Sequence, residues 1–344
     1  MVWRVPREVT SHLIPPDRAD ERWSYRHAAV VGVLAAVVIA VLVTFPPSSL
    51  LGSVFGTHEA LPPVSLAPSA LGISGEVRLQ LKLPGEPFEF PIQLQLNTST
   101  PRYQWVRASD SSAVTPDTEL VGASVHAPAK SGLYHLAVIG DGKRTVVSQI
   151  VIGVLVPFSD KLGATLNGYR IGTYRWERAR GDATPPPPGF VEVWAEDAPL
   201  WVSDHLQLAD FITHDAQQDR WPKYLALDRR ILDKIELVLD RLGARDRIMT
   251  VDVHSGYRTP LYNRRVPRAA GDSRHQYGDA IDLALDADQD GRVSYFDILA
   301  MARAVELVER DHPELVGGLG VYGNRGRSPY VHIDVRGERK RWRG

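Results

Sequence analysis

The sequence predicts three parts in series: one N-terminal transmembrane helix, an all-β sandwich, and a C-terminal α+β domain. Three observations carry this. Residues 28–45 read AAVVGVLAAVVIAVLVTF, an uncharged apolar run of 18 residues. From about Gly75 apolar and polar residues alternate with period two, as in half-buried strands. Beyond residue 226 helical and strand patterns are mixed.

The apolar run meets the minimum length for a spanning helix. Arg4, Arg7, Arg18, Arg22 and Arg26 precede it, and the next basic residue is Arg78. That asymmetry places residues 1–27 in the cytoplasm and the later domains in a periplasmic or extracellular space, as a single-pass membrane protein. Phe45-Pro46-Pro47 follows instead of a small-x-small cleavage site, which favours an uncleaved anchor. Residues 46–74, rich in Pro, Ser, Leu and Ala, read as a spacer.

In residues 75–155, Val77, Leu79 and Leu81 alternate with Arg78, Gln80 and Lys82. Phe90, Ile92, Leu94 and Leu96 alternate with Pro91, Gln93 and Gln95. Further strands are predicted over 133–139 and 145–154, with turn signals at Pro84-Gly85, Ser131-Gly132 and Gly140-Asp141-Gly142. Short strands at this spacing predict a small antiparallel sandwich of Ig-like kind, whose surface is open to a protein partner. His126 and His135 stand alone in it and read as structural.

Residues 156–225 read as a linker and lead-in, including the stiff run Pro185-Pro186-Pro187-Pro188. In the last part, 226–344, Ile231, Ile235, Val238, Leu239 and Leu242 share a helical face, and Gly243 stands at a C-terminal cap position. A second helix is predicted over 298–308, with strands at 248–253, 319–322 and 330–335.

Composition narrows the chemistry. Lys plus Arg number 40 and Asp plus Glu 41, a net charge of −1, which argues against a non-specific nucleic-acid binder. There is no cysteine among the 344 residues, so disulfides, thiolate metal ligands and thiol nucleophiles are excluded. A metal ion would need His, Asp or Glu.

Such residues cluster in the last 90 positions. His275, Asp282 and His332 can supply three zinc ligands, leaving one position for water. Asp282 lies inside the apolar run Ala280, Ile281, Leu283, Ala284, Leu285, where a carboxylate is costly to bury unpaired. On the strand around His332, Tyr330, His332 and Asp334 share one face. The residues alone admit a second reading, in which His332 is an ordinary strand residue, Asp282 caps a turn and Asp334 pairs with Arg336 or Arg339.

Residues 286–297 match a twelve-residue EF-hand loop. Asp286, Asp288, Asp290 and Asp297 occupy positions 1, 3, 5 and 12, Gly291 occupies position 6, and Arg292 offers its carbonyl to a calcium ion. The other reading is a polar turn with Asp297 capping the next helix.

The string Ser273-x-His275-x-x-Gly278-x-Ala280-x-Asp282, followed by a strand histidine, resembles the M15 zinc peptidases, which are D-alanyl-D-alanine carboxypeptidases and murein endopeptidases. Ser255-Gly256-Tyr257-Arg258-Thr259 resembles that family's Ser-Gly-Tyr-Arg segment. His332-x-Asp334 with Arg339 and Trp342 resembles its DUF882-like branch, as do Leu166-Asn167-Gly168-Tyr169, Ile171-Gly172 and Gly189-Phe190-Val191-Glu192-Val193. The likeness covers roughly 155–344 and is strongest from 250 onward. It implies an M15/hedgehog-like zinc peptidase fold, His275, Asp282 and His332 as zinc ligands, and Arg258 at the substrate. Many members carry an acid just before the last histidine; here Ser328-Pro329-Tyr330-Val331 has none, which leaves Asp334 as the general-base candidate. The implied function is a membrane-anchored zinc peptidase cleaving peptidoglycan peptides. The alternative is an inactive cell-wall-binding or scaffold protein on a peptidase fold.

Overall fold

The computed structural model describes residues 64–96, 100–179, 183–244, 249–323 and 328–344. The expected transmembrane segment at 28–45 lies outside these. Among the described residues no helix is long and apolar enough to cross a membrane.

The Ig-like sandwich is corrected. In its place stands one five-stranded sheet, in the order Leu79–Lys82, Lys143–Val154, Gly132–Gly140, Arg102–Arg107, Thr118–Glu119. Its first pair is parallel. The other side is built from two separate two-stranded ribbons, Val64–Leu66 with Ile92–Leu94 and Pro87–Glu89 with Ser124–His126. Pro84, Pro87 and Pro91 account for the break-up, because a proline cannot donate to a strand ladder. Trp105, Phe90, Leu136 and Ile150 fill the core beneath these ribbons. The Asp141-Gly142 hairpin forms as its sequence suggests: both residues take positive φ, 51° and 74°, as a two-residue type I′ turn requires.

Val77, Leu79, Leu133 and Val151 pack into a second, larger core together with Phe190, Leu225, Ile235, Leu283 and Ile333. The N-terminal sheet and the C-terminal elements therefore share buried surface. Around this core lie a three-stranded sheet (Val156–Pro157, Gly189–Val193, Lys223–Leu225) and a small hairpin (Thr165–Leu166, Tyr169–Arg170). Four α-helices occur among the described residues: Arg175–Arg178, Arg229–Arg241, Pro260–Asn263 and Tyr295–Asp311. Asp228 caps the second of these, accepting from Arg230 N at 2.9 Å.

The sheet that positions the site has five strands, in the order Asp252–Ser255, Ala280–Ala284, Tyr330–Asp334, Gly318–Tyr322, Lys340–Arg343. The last pair is parallel and the others antiparallel. Val331, Ile333 and Val335 face the large core, as the period-two reading requires.

Candidate metal centre

Register brings the site together. Ser255 pairs with Asp282, Asp282 with His332, His332 with Gly320, and Gly320 with Trp342. Cross-strand partners lie side by side on one face, so these residues form a single row. His275 comes from outside the sheet. It sits on the 3₁₀ turn Arg274–Tyr277, which ends at Gly278 with φ 71°. A Cβ at Gly278 would run into the Ala226 carbonyl, so both the backbone sign and the space demand glycine there.

The three predicted ligands converge. His275 Nε2 lies 3.2 Å from Asp282 Oδ1 and 3.1 Å from His332 Nδ1, and His332 Nδ1 lies 2.8 Å from Asp282 Oδ1. All three residues are buried. The far side of each imidazole decides which nitrogen faces inward. His275 Nδ1 lies 2.7 Å from the Gly256 carbonyl, which can only accept, so Nδ1 carries the proton and Nε2 presents a lone pair. His332 Nε2 lies 3.1 Å from Asp334 Oδ2, so it donates outward and leaves Nδ1 for the centre. Two imidazole nitrogens and an anionic oxygen thus meet at one point. A positive charge must lie among them. A proton on His332 Nδ1 serves one contact at a time, whereas a metal ion serves all three. Ligands about 2.0–2.1 Å from a tetrahedral zinc stand about 3.3 Å apart, close to the spacing found here.

The electrostatics favour a positive charge at this point. Burial pushes the Asp282 carboxyl up, but His275 and His332 outweigh it and hold the group well below the usual carboxylate range. Burial holds His275 below the ordinary imidazole value. For His332 burial acts in the same direction, and the Asp282 and Asp334 carboxylates overcome it and raise the group.

Arg258 reaches the centre from the loop that follows the edge strand Asp252–Ser255. Its Nη2 donates to Asp282 Oδ2, and its Nε donates to Ser255 Oγ at 2.8 Å. The guanidinium is therefore committed to a candidate ligand. Asp334 lies on the outer side of His332. Its Oδ1 accepts from Gly318 N at 2.7 Å and Arg336 N at 3.1 Å, while Oδ2 takes His332 Nε2 and Arg336. Burial opposes ionisation, but His332 and Arg336 override it and keep the Asp334 carboxyl far below its usual range. Neither oxygen faces the three converging atoms. This is the arrangement of a carboxylate that orients a ligating histidine.

Two features were not legible in the strand patterns. Val253 pairs with Leu283 and Ser255 with Asp282, so His254 is the extra residue of a β-bulge. Bulges re-aim side chains, and this one brings the His254 ring to 5.3 Å from that of Tyr330, on the His332 face. Nε2 of His254 pairs with Asp252 Oδ2 at 3.1 Å. The second feature is an aromatic wall. Tyr322 and Tyr330 stack with centroids 4.5 Å apart, and Trp342 lies 5.1 Å from His332 with its Nε1 donating to Tyr322 Oη. Gly320 makes this possible, since a Cβ there would strike the Trp342 indole.

The loop 286–297 gathers Asp286, Asp288 and Asp290, with ligand oxygens within 4.8 Å of one another. Their oxygens accept from the loop's own backbone, Asp286 from Gly291 N at 2.8 Å and Asp290 from Arg292 N at 2.9 Å. Asp297 accepts from Ala287 N, Asp288 N and Ser294 N, closing a capping box on the Tyr295–Asp311 helix. The twelfth loop position is thus used as a helix cap. Three neighbouring acids do not by themselves make a calcium site.

Residues 193–342 match the family model described as Peptidoglycan L,D-endopeptidase MepK, of the M15 peptidases. No curated protein and no solved structure matches the chain.

Proposed function

We propose that this chain, whose residues 193–342 are of the M15 peptidoglycan-endopeptidase type, is a zinc-dependent hydrolase of peptidoglycan crosslinks. The family description suggests a scissile amide joining an L to a D centre, and such a substrate would be met in the cell-wall space. The observation that carries the reading is the convergence of His275 Nε2, His332 Nδ1 and Asp282 Oδ1 within 2.8–3.2 Å.

His275, Asp282 and His332 would hold the ion. Zinc so held supplies Lewis acidity, polarising a carbonyl and acidifying water. The remaining steps belong to the chain. Asp334 fixes the His332 tautomer from outside. Arg258 holds the second Asp282 oxygen, so that Oδ1 stays turned to the centre. In this account Asp334 acts through His332, and the proton-transfer role passes to His254. Its Nε2 is paired with Asp252, which leaves Nδ1 to take a proton from water and return it to the leaving amine. Tyr322, Tyr330 and Trp342 provide an aromatic flank on which a stem peptide can lie.

The test is reconstitution. Purified chain stripped by a chelator should lose crosslink hydrolysis and regain it on adding zinc. His254→Ala should keep its zinc but lose about 10²–10⁴ in kcat. Hydrolysis that survives full metal removal would exclude the proposal.

A further inference from the structure

A second set of metal-ligating side chains lies apart from the first. Glu76, His205 and Glu236 each present a ligand atom, and these lie within 4.8 Å of one another. They come from three stretches of chain. Glu76 precedes the Leu79–Lys82 strand, His205 lies in the turn after Ser203, and Glu236 projects from the Arg229–Arg241 helix. Glu236 is fully buried, and His205 retains 21% side-chain exposure.

The contacts are close. His205 N donates to Glu236 Oε1 at 3.0 Å, and His205 Nδ1 lies 2.7 Å from Glu236 Oε2. The Glu236 carboxyl is also within hydrogen-bond reach of the Glu76 carboxyl. Two carboxyl groups in contact need a proton or a cation between them, because both are anionic at neutral pH when alone. A further polar group points to the same place. The Ser203 hydroxyl is wholly buried and lies beside the Glu236 carboxyl without reaching a hydrogen bond of good geometry. The basic residues nearest in sequence are spent elsewhere, Arg78 on Asp204 with Nη2 to Oδ1 at 2.7 Å and Lys234 on Glu309 with Nζ to Oε1 at 2.7 Å.

One imidazole and two carboxylates form a donor set suited to zinc and related divalent ions. We infer that Glu76, His205 and Glu236 bind a second, structural divalent cation of the zinc class, which fastens the 74–78 segment and the 203–206 turn to the Arg229–Arg241 helix. Other bonds already tie the same segments. Ser74 N and Oγ donate to Asp233 Oδ1 at 3.0 and 2.9 Å, and Arg78 N donates to Val202 O at 2.8 Å. An ion would fix the point where these connections leave two carboxyls face to face.

The experiment counts zinc per chain. Full-length protein is stripped with a chelator, dialysed against buffered free zinc and analysed by mass spectrometry of the metal. Glu76→Gln, His205→Ala and His332→Ala are treated alike. The half-exposed Glu76→Gln keeps shape and serves if His205→Ala misfolds. The expected result is two zinc ions in the wild type and one in each variant. Zinc should also raise the melting temperature of His332→Ala, and should not raise that of the His332→Ala/Glu76→Gln double variant. One zinc, kept by His332→Ala and lost by Glu76→Gln, would support this site while overturning the first. One zinc, lost by His332→Ala and kept by Glu76→Gln, would overturn this site and show a shared proton in its place. Two zinc ions in Glu76→Gln would overturn it as well.

Discussion

Replacing Asp334 by Asn separates two roles that the sequence could not. The carboxylate takes Gly318 N and Arg336 N on Oδ1, and His332 Nε2 and Arg336 on Oδ2. The Asn oxygen can keep the Gly318 bond. Its amide nitrogen then faces the proton on His332 Nε2, donor against donor. His332 answers by moving its proton to Nδ1, the atom that faces His275 and Asp282. Loss of such an orienting partner costs about 10–100-fold in metal affinity, which is about 1.4–2.7 kcal/mol. Folding stability should fall by about 1–3 kcal/mol, since Arg336 loses a buried charged acceptor. The assay is zinc competition against a chromogenic chelator, followed by kcat at saturating zinc. Zinc binding should weaken, and turnover should largely return when zinc is saturating. Unchanged zinc affinity with kcat down by about 10²–10⁴ would return Asp334 to the role of general base.

Three further outcomes follow from the same packing. Gly320→Ala should drive Trp342 off His332, costing about 1–3 kcal/mol by overpacking; denaturant unfolding with tryptophan fluorescence reads both the stability and the displaced indole. Lys234→Met removes a buried cation that donates to Glu309 Oε1 and Asp334 O, both at 2.7 Å. The loss should be about 3 kcal/mol, the low end for a broken buried pair, because Arg341 still contacts Glu309; urea midpoints check it. His135 is buried, with Nδ1 2.8 Å from the Ile150 carbonyl, and burial holds its pKa below the ordinary value. A depressed imidazole means the unfolded chain binds the extra proton first. Stability should therefore be full above pH about 6.5 and decline as pH falls below it. The His135→Gln variant should show a shallower decline by thermal melts across that range.

Much of the local structure is legible from residue pattern. The predicted strands 133–139 and 145–154 become Gly132–Gly140 and Lys143–Val154, and the Asp141-Gly142 turn joins them. The helical face of Ile231, Ile235, Val238 and Leu239 is buried as its spacing requires. The structure also brings His275, Asp282 and His332 together, although 57 positions separate the first and last. What period and spacing do not carry is pairing between distant strands. The parallel pair Leu79–Lys82 with Lys143–Val154 is set by a shared core with residues beyond 155, not by any turn signal. The Ig-like expectation failed there, and at the prolines that split the second sheet into ribbons. Trp342 reaches His332 only because Lys340–Arg343 adds in parallel beside Gly318–Tyr322, with a glycine beneath the indole. The face shared by Tyr330, His332 and Asp334 could be read from alternation. The Asp334–Arg336 pair stood in the sequence as one of two readings and forms; that Gly318 N also fills an Asp334 oxygen could not be read, because that contact is tertiary.

Product analysis on defined murein dimers separates a crosslink hydrolase from a wall-binding protein. Full-length protein would be incubated with dimers crosslinked through an L,D amide and with dimers crosslinked through a D,D amide, each with zinc, with chelator, and with His332→Ala. The L,D dimers should become monomers, each amide cleavage adding one water, and chelator and His332→Ala should both abolish the conversion. Intact dimers after incubation with folded, zinc-loaded protein would contradict it and favour a wall-binding role.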